Sequence, residues 1–247
     1  MRKFFCLSVP VFLLSAIAAA QTADEIVAKH IEAIGGVKRM QAVKSELTIG
    51  IAEINGNKIR ISYLRKRPNK VRSELSAQGM TQIQAYDGHQ GWQVTPIKKD
   101  PELLTGDDLD DLRNDDGIDG PLVNYKEKGY RIELIGKEKT EGADTYNLKL
   151  TSKEGKVSNS YIDTGTFLEV KNVTTVKHKA GEEIVERVTG DWRPVDGVMY
   201  AYFTELRQRG RPEQTVKIKI EKVELNGPAE DSLFEMPDIP AKPESPK

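Results

Sequence analysis

Between Tyr63 and Pro96 the chain reads YLRKRPNKVRSELSAQGMTQIQAYDGHQGWQVTP. This is the pattern of three short strands joined by two turns. Pro68 and Asn69 make the first turn, because proline presets φ and asparagine tolerates the left-handed region. Asp87-Gly88 makes the second, where glycine supplies a positive φ between apolar flanks. Trp92 then stands in a strand just before Pro96. A large aromatic there either faces an apolar cavity or sits in a core, and the pattern leaves both open.

Working outward to the N-terminus, the meander begins near Ser45. Residues Ser45–Glu53 carry Ile49 and Ile51 at period two, and Asn55-Gly56-Asn57 is a hairpin signal. Lys58–Arg65 alternates Ile59, Ile61 and Tyr63 with Lys58, Arg60 and Ser62, which predicts a strand with one wet face. Lys70–Ala77 and Met80–Tyr86 continue the series. Ahead of it, Thr22–Val43 reads as helix. Thr22-x-x-Glu25 spells a capping box, and Ile26, Val27, His30, Ile31 and Ile34 form an apolar stripe. Gly35-Gly36 stops this helix, and Val37–Val43 adds a short second one. Residues 1–20 read as a secretory signal: Arg2 and Lys3, an apolar run from Phe4 to Ile17, then Ala18-Ala19-Ala20 as a cleavage site. The run is shorter than the ~20 residues that span a bilayer. Cys6, the single cysteine, lies inside it, so the processed chain has no disulfide and no cysteine placed for lipidation.

Downstream, 101–125 breaks the β pattern. Leu103, Leu104, Leu109 and Leu112 lie among Asp107, Asp108, Asp110, Asp111, Asp115 and Asp116, which predicts one or two short amphipathic helices ending near Gly117. The acids are out of register for a calcium loop: counting back from Gly117 puts Leu112 at the first ligand position. They read as a solvated face. From Tyr130 to Leu225 strands return, punctuated by Glu141-Gly142, Lys153-Glu154-Gly155-Lys156, Thr164-Gly165, Ala180-Gly181, Asp196-Gly197 and Arg209-Gly210. The expected fold is mainly β with some α (α+β). It is a single strongly curved antiparallel sheet of about eleven strands, an unclosed half-barrel, with an N-terminal helix and a helical lid; a sheet that long must twist or curl. Residues 21–236 form one domain, and 237–247, rich in Pro, Lys and Glu, form a loose tail.

No catalytic signature is present. HExxH, GxSxG, the Walker loop and GxGxxG are all missing, and His30, His89 and His178 sit in unrelated contexts. A net charge of −1 argues against nucleic acid as the main partner. The reading is a binding protein, not an enzyme, without metal or cofactor. An apolar cavity between sheet and helices would take an acyl chain, each buried methylene contributing about 0.8 kcal/mol. Pattern alone does not separate a hollow core from a filled one.

Lys66-Arg67-Pro68-Asn69, Asp87-Gly88, Trp92 to Pro96 and the closing Leu233-Phe234-Glu235-Met236-Pro237 together resemble the LolA family of periplasmic lipoprotein carriers. The layout of helix, meander, lid and further strands extends the resemblance over nearly all of the processed chain. The strand after the first turn, Val71-Arg72-Ser73, departs from the family's aromatic there, and the Gly35-Gly36 helix end is also unlike it. The resemblance implies an unclosed half-barrel whose lid covers a hydrophobic cavity for lipid or lipoprotein acyl chains. It implies a periplasmic location, and an inner-membrane transporter or outer-membrane acceptor as partners. Ile61, Tyr63, Leu75, Ile83, Trp92, Leu103 and Leu104 are the expected cavity wall and lid. The arginine of the first turn, Arg67, is the expected gate, since its planar fork can hold several lid groups at once. The same superfamily includes regulators of the RseB type, which bind lipoprotein or restrain an anti-sigma factor. A periplasmic sensor is therefore the alternative.

Overall fold

The first helix starts where the capping box sets it. The Thr22 amide donates to Glu25 Oε2 at 2.9 Å, and the Glu25 amide donates to Thr22 Oγ1 at 3.2 Å. Helix α1 (Ala23–Ala33) ends at Gly35, which has φ +123°, and α2 (Val37–Ala42) follows. Gly35 is also a site of close approach: a Cβ there would lie 2.5 Å from the Gly197 carbonyl oxygen. Only glycine lets the helix end rest on that hairpin, where the Met199 amide donates to the Ile34 carbonyl at 3.0 Å. The computed structural model describes residues 21–238 apart from 114, 116, 179 and 180, so the expected signal segment and most of the tail lie outside the described residues.

Among the described residues, thirteen strands form one antiparallel sheet. β1 (Ser45–Ile54), β2 (Asn57–Lys66), β3 (Lys70–Ala77), β4 (Met80–Tyr86), β5 (Gly91–Val94) and β6 (Glu102–Leu103) make one meander. After α3 (Asp107–Arg113), the strands β7 (Arg131–Thr140), β8 (Ala143–Thr151), β9 (Val157–Asp163), β10 (Glu169–His178), β11 (Gly181–Val195), β12 (Val198–Gln208) and β13 (Arg211–Leu225) make another. The two join where β1 pairs with β13, leaving β6 and β7 as open edges. Four hairpins turn through two residues both at positive φ: Asn55-Gly56, Gln78-Gly79, Glu141-Gly142 and Asp196-Gly197. That handedness matches the twist of the flanking strands.

The sheet is strongly curved. β2 and β8 are seven strand positions apart, roughly 34 Å if the sheet were flat. Yet Arg67, in the turn after β2, bonds Asp119, while Leu122, three residues on, packs on Leu148 of β8. Three residues span at most about 11 Å, so the sheet must wrap around the 117–130 segment. The core divides accordingly. Ile26, Val27 and Leu122 pack on Tyr146, Leu148, Leu150 and Ile162; Ile34, Met40, Val43 and Val123 pack on Val198, Val223 and Leu225. The helices therefore fill part of the inner face.

Two expectations are corrected. Among the described residues the strand count is thirteen rather than about eleven; two-residue β6, which follows the loop that carries Pro96 and Pro101, is one strand that the sequence does not announce. The lid is shorter than expected. Among the described residues of 101–130, only Asp107–Arg113 is helical, Leu103 belongs to β6, and 117–129 is a run of turns.

Candidate functional site

Residues directly opposite on neighbouring strands share a face, so the register sorts side chains into inner and outer. On the inner face, Ile61 of β2 opposes Leu75 of β3 on one side and Gly50 of β1 on the other. Beyond β1, Gly50 opposes Ile220, Ala52 opposes Ile218 and Ile54 opposes Val216, which opposes Leu206 of β12. Gly50 sits at a register shift, and a Cβ there would collide with the Lys219 carbonyl. The consequence is a groove. Small residues line the middle strand, and Ile59 and Ile61 stand on one bank with Ile218 and Ile220 on the other. These isoleucines are only half-buried, so this stretch of the inner face is not filled as a solid core. It is an aliphatic trough.

Above the trough the inner face turns polar. Glu46, 4% exposed, accepts from Arg65 at 3.1 Å and from the Tyr200 hydroxyl at 3.0 Å. Arg65 also donates twice to Asp115, at 3.1 and 3.2 Å, and the Tyr63 hydroxyl donates to the same carboxylate at 3.2 Å. Burial pushes the Tyr63 phenol up to about 12, so it stays a donor. Burial opposes charge on Asp115, but the Arg65 guanidinium outweighs it and holds the carboxyl below its usual range. Burial likewise opposes charge on Arg65, and Asp115 more than compensates, so it stays protonated.

A second arginine repeats the device. Arg67 donates to the Val43 and Met40 carbonyls at the end of α2, at 2.6 and 2.9 Å, and grips Asp119 with two bonds of 2.7 and 2.5 Å. Its hydrogen bonds draw the Asp119 carboxyl down. Thus Arg65 and Arg67, two residues apart, latch Asp115 and Asp119 of the segment that follows α3. Beneath this segment lies a cleft of ≈ 680 Å³. Its floor is the inner face of β9 to β12, with Ser158, Asn172, Thr174, Val185, Arg187 and Leu206.

The expected cavity residues do not share one wall. Ile61, Tyr63 and Leu75 are together on the inner face, and Leu75 is 40% exposed. Trp92 opposes Ala85, which opposes Arg72, which opposes Leu64; this is the outer face. Leu103 opposes Trp92 there and is 56% exposed. Ile83, two residues from Ala85, points the same way. Trp92, Ile83 and Leu103 thus lie on the face opposite Ile61, Tyr63 and Leu75: each strand alternates faces, and pairing with Ala85 sends Trp92 outward. There it is 1% exposed beneath Phe234, donating from Nε1 to the Phe234 carbonyl at 2.7 Å. The Arg72 guanidinium lies 5.6 Å from its ring and bonds the Leu233 carbonyl. Leu104 is buried on the inner side beside Gly91, where a Cβ would come within 2.8 Å of Leu109 of α3. It lies near α3 and does not line the cleft. Arg65 and the β13 isoleucines were missed as site residues, although the alternation of Val216, Ile218 and Ile220 was a visible signal. Among the described residues, no cluster of three or more His, Cys, Asp or Glu side chains could hold a metal ion.

No family model matches the chain, and no curated protein matches it by sequence. Solved structures do. A LolA superfamily protein of Nitrosomonas europaea is 16% identical, over 87% of this chain and 98% of that one, with a TM-score of 0.59. A DUF1329 family protein of Desulfovibrio piger is 15% identical, over 86% and 97%, with a TM-score of 0.57. A domain designated outer membrane lipoprotein-sorting, from Vibrio parahaemolyticus, is 12% identical, over 86% and 95%, with a TM-score of 0.55. This chain shares the fold of these proteins, an open antiparallel sheet.

Proposed function

We propose that this protein is a periplasmic carrier that shelters an acyl chain of a lipid or lipoprotein in the inner trough, without catalysis. The observation that carries the proposal is the half-buried aliphatic groove between the β2 and β13 isoleucines, in a fold shared with lipoprotein-sorting proteins. An acyl chain laid along it would replace water against Ile59, Ile61, Ile218 and Leu206, at about 0.8 kcal/mol per methylene buried. The Arg65–Asp115 and Arg67–Asp119 pairs are the gate, since they tie Asp115 and Asp119 to the end of β2 and the turn after it. A neighbour named for outer membrane lipoprotein sorting supports the periplasmic location. Two measurements test the proposal together: mass spectrometry of lipids extracted from natively purified protein, and uptake of a fluorescent fatty acid. Co-purified lipid and saturable uptake are expected. Lipid-free protein that also takes up no fatty acid would end the carrier reading.

A further inference from the structure

The cleft beneath the latch indicates what kind of head such a lipid carries. Its walls present six cations, Arg65, Arg113, Lys128, Lys153, Lys156 and Arg187, against two carboxylates, Asp115 and Glu154. The whole chain carries a net charge of −1, so this is a local concentration and not a generally basic surface. Arg65 is saturated by Glu46 and Asp115, and Arg113 leans on Asp110 at 3.3 Å. Arg187 meets Glu169 at 2.9 Å, yet its side chain remains 47% exposed. Lys128 donates to the Gly120 carbonyl, and Lys153 reaches Glu154 only at 3.6 Å. Lys153 and Lys156 rise from the turn between β8 and β9. Lys128 comes from the facing segment, where a Cβ on Gly129 would lie 3.2 Å from the Lys153 Cβ. The three lysines therefore gather at one mouth.

That mouth and the trough are one surface. Leu206 on the cleft floor opposes Val216, which opposes Ile54 of the trough. A volume of ≈ 680 Å³ is within the range of sites that take small organic ligands. Resting on the carrier reading above, we propose that the cleft binds the anionic, phosphate-bearing headgroup of the lipid whose chain lies in the trough. Lysines act there as point charges towards phosphate oxygens, and the Arg187 fork adds directional donors.

The test uses the full chain and two fluorescent phospholipids with identical chains, phosphatidylglycerol and phosphatidylcholine. Phosphatidylglycerol is expected to bind at least tenfold more tightly, and to weaken as salt rises. Neutralising Lys153→Gln and Lys156→Gln together is expected to cost it about 25-fold, at about fivefold per lysine, and to cost phosphatidylcholine, whose phosphate charge is offset by its own choline, much less. Both lysines stand in an exposed turn; circular dichroism verifies the fold, and Arg187→Gln serves as an independent variant. Equal binding of the two lipids by the wild type, insensitive to salt and to these substitutions, overturns the headgroup assignment and leaves the carrier reading standing. Binding of neither phospholipid nor of a free fatty acid overturns the carrier reading itself. Millimolar inorganic phosphate that binds without any preference for phosphatidylglycerol would show a free-anion site and refute a lipid headgroup.

Discussion

Replacing Arg67 by Leu removes four hydrogen bonds at once, two to α2 carbonyls and two to Asp119. Bonds to charged groups contribute about 1.5–3 kcal/mol each when isolated, but these share one guanidinium and do not add. The Arg67 side chain is 29% exposed and Asp119 is 16% exposed, so water recovers part of the loss. The expected cost is about 2–4 kcal/mol, a large share of the roughly 5–15 kcal/mol of a typical domain. Urea unfolding followed by circular dichroism measures it, and a cycle with Asp119→Asn isolates the pair, with coupling of about 1–2 kcal/mol. Arg67→Lys keeps the charge but not the fork, and should recover less than half of the loss. Because the latch holds the segment after α3 against the end of β2, Arg67→Leu should also release a fluorescent fatty acid faster. A cost below about 0.5 kcal/mol with no coupling would refute the latch energetics. Unchanged release kinetics would remove Arg67 from the gate.

Ile61→Asn on β2 and Ile83→Asn on β4 are matched substitutions on opposite faces of the same meander, so only Ile61→Asn should weaken fatty-acid binding, by about tenfold; equal effects would show the face assignment to be wrong. Phe234→Ala should uncover Trp92, shift tryptophan emission to the red and cost about 3–5 kcal/mol in urea unfolding, while per folded molecule acyl binding is retained. His30 is 6% exposed, with Nδ1 donating to the Phe167 carbonyl, and burial draws its pKa down from 6.5. A depressed folded pKa means that the unfolded chain takes up the proton first. Stability should therefore fall as pH drops below 6.5, and His30→Asn should flatten that slope. Asp115 and Asp119 are also depressed, from 3.8, so the latch contribution is present above that value and lost only in stronger acid. A melting temperature flat from pH 7 to 5 would contradict the histidine argument.

Local chemistry is legible in the sequence. The Thr22–Glu25 capping box, the Asn55-Gly56 and Asp196-Gly197 hairpins, and the Ile59–Ile61–Tyr63 alternation are all set by residues within a few positions of each other. The curved open sheet follows from many hairpins in series. The site was harder to read because it depends on pairings far apart in sequence. Nothing near Trp92 shows that its strand register opposes Ala85, or that Phe234, from the far end of the chain, covers it. The trough needs β1 beside β13, which sets Gly50 and Ala52 between two rows of isoleucine. Arg65 reads as an ordinary strand-end cation until Glu46 and Asp115 are brought to it.

The trough itself is tested most directly by a crystal structure of the protein with a fatty acid brominated along its chain. Anomalous bromine peaks are expected on the inner face, running between Ile61 and Ile218 towards Leu206. Peaks against the outer face near Trp92, or a trough holding only water at saturating fatty acid, would contradict it.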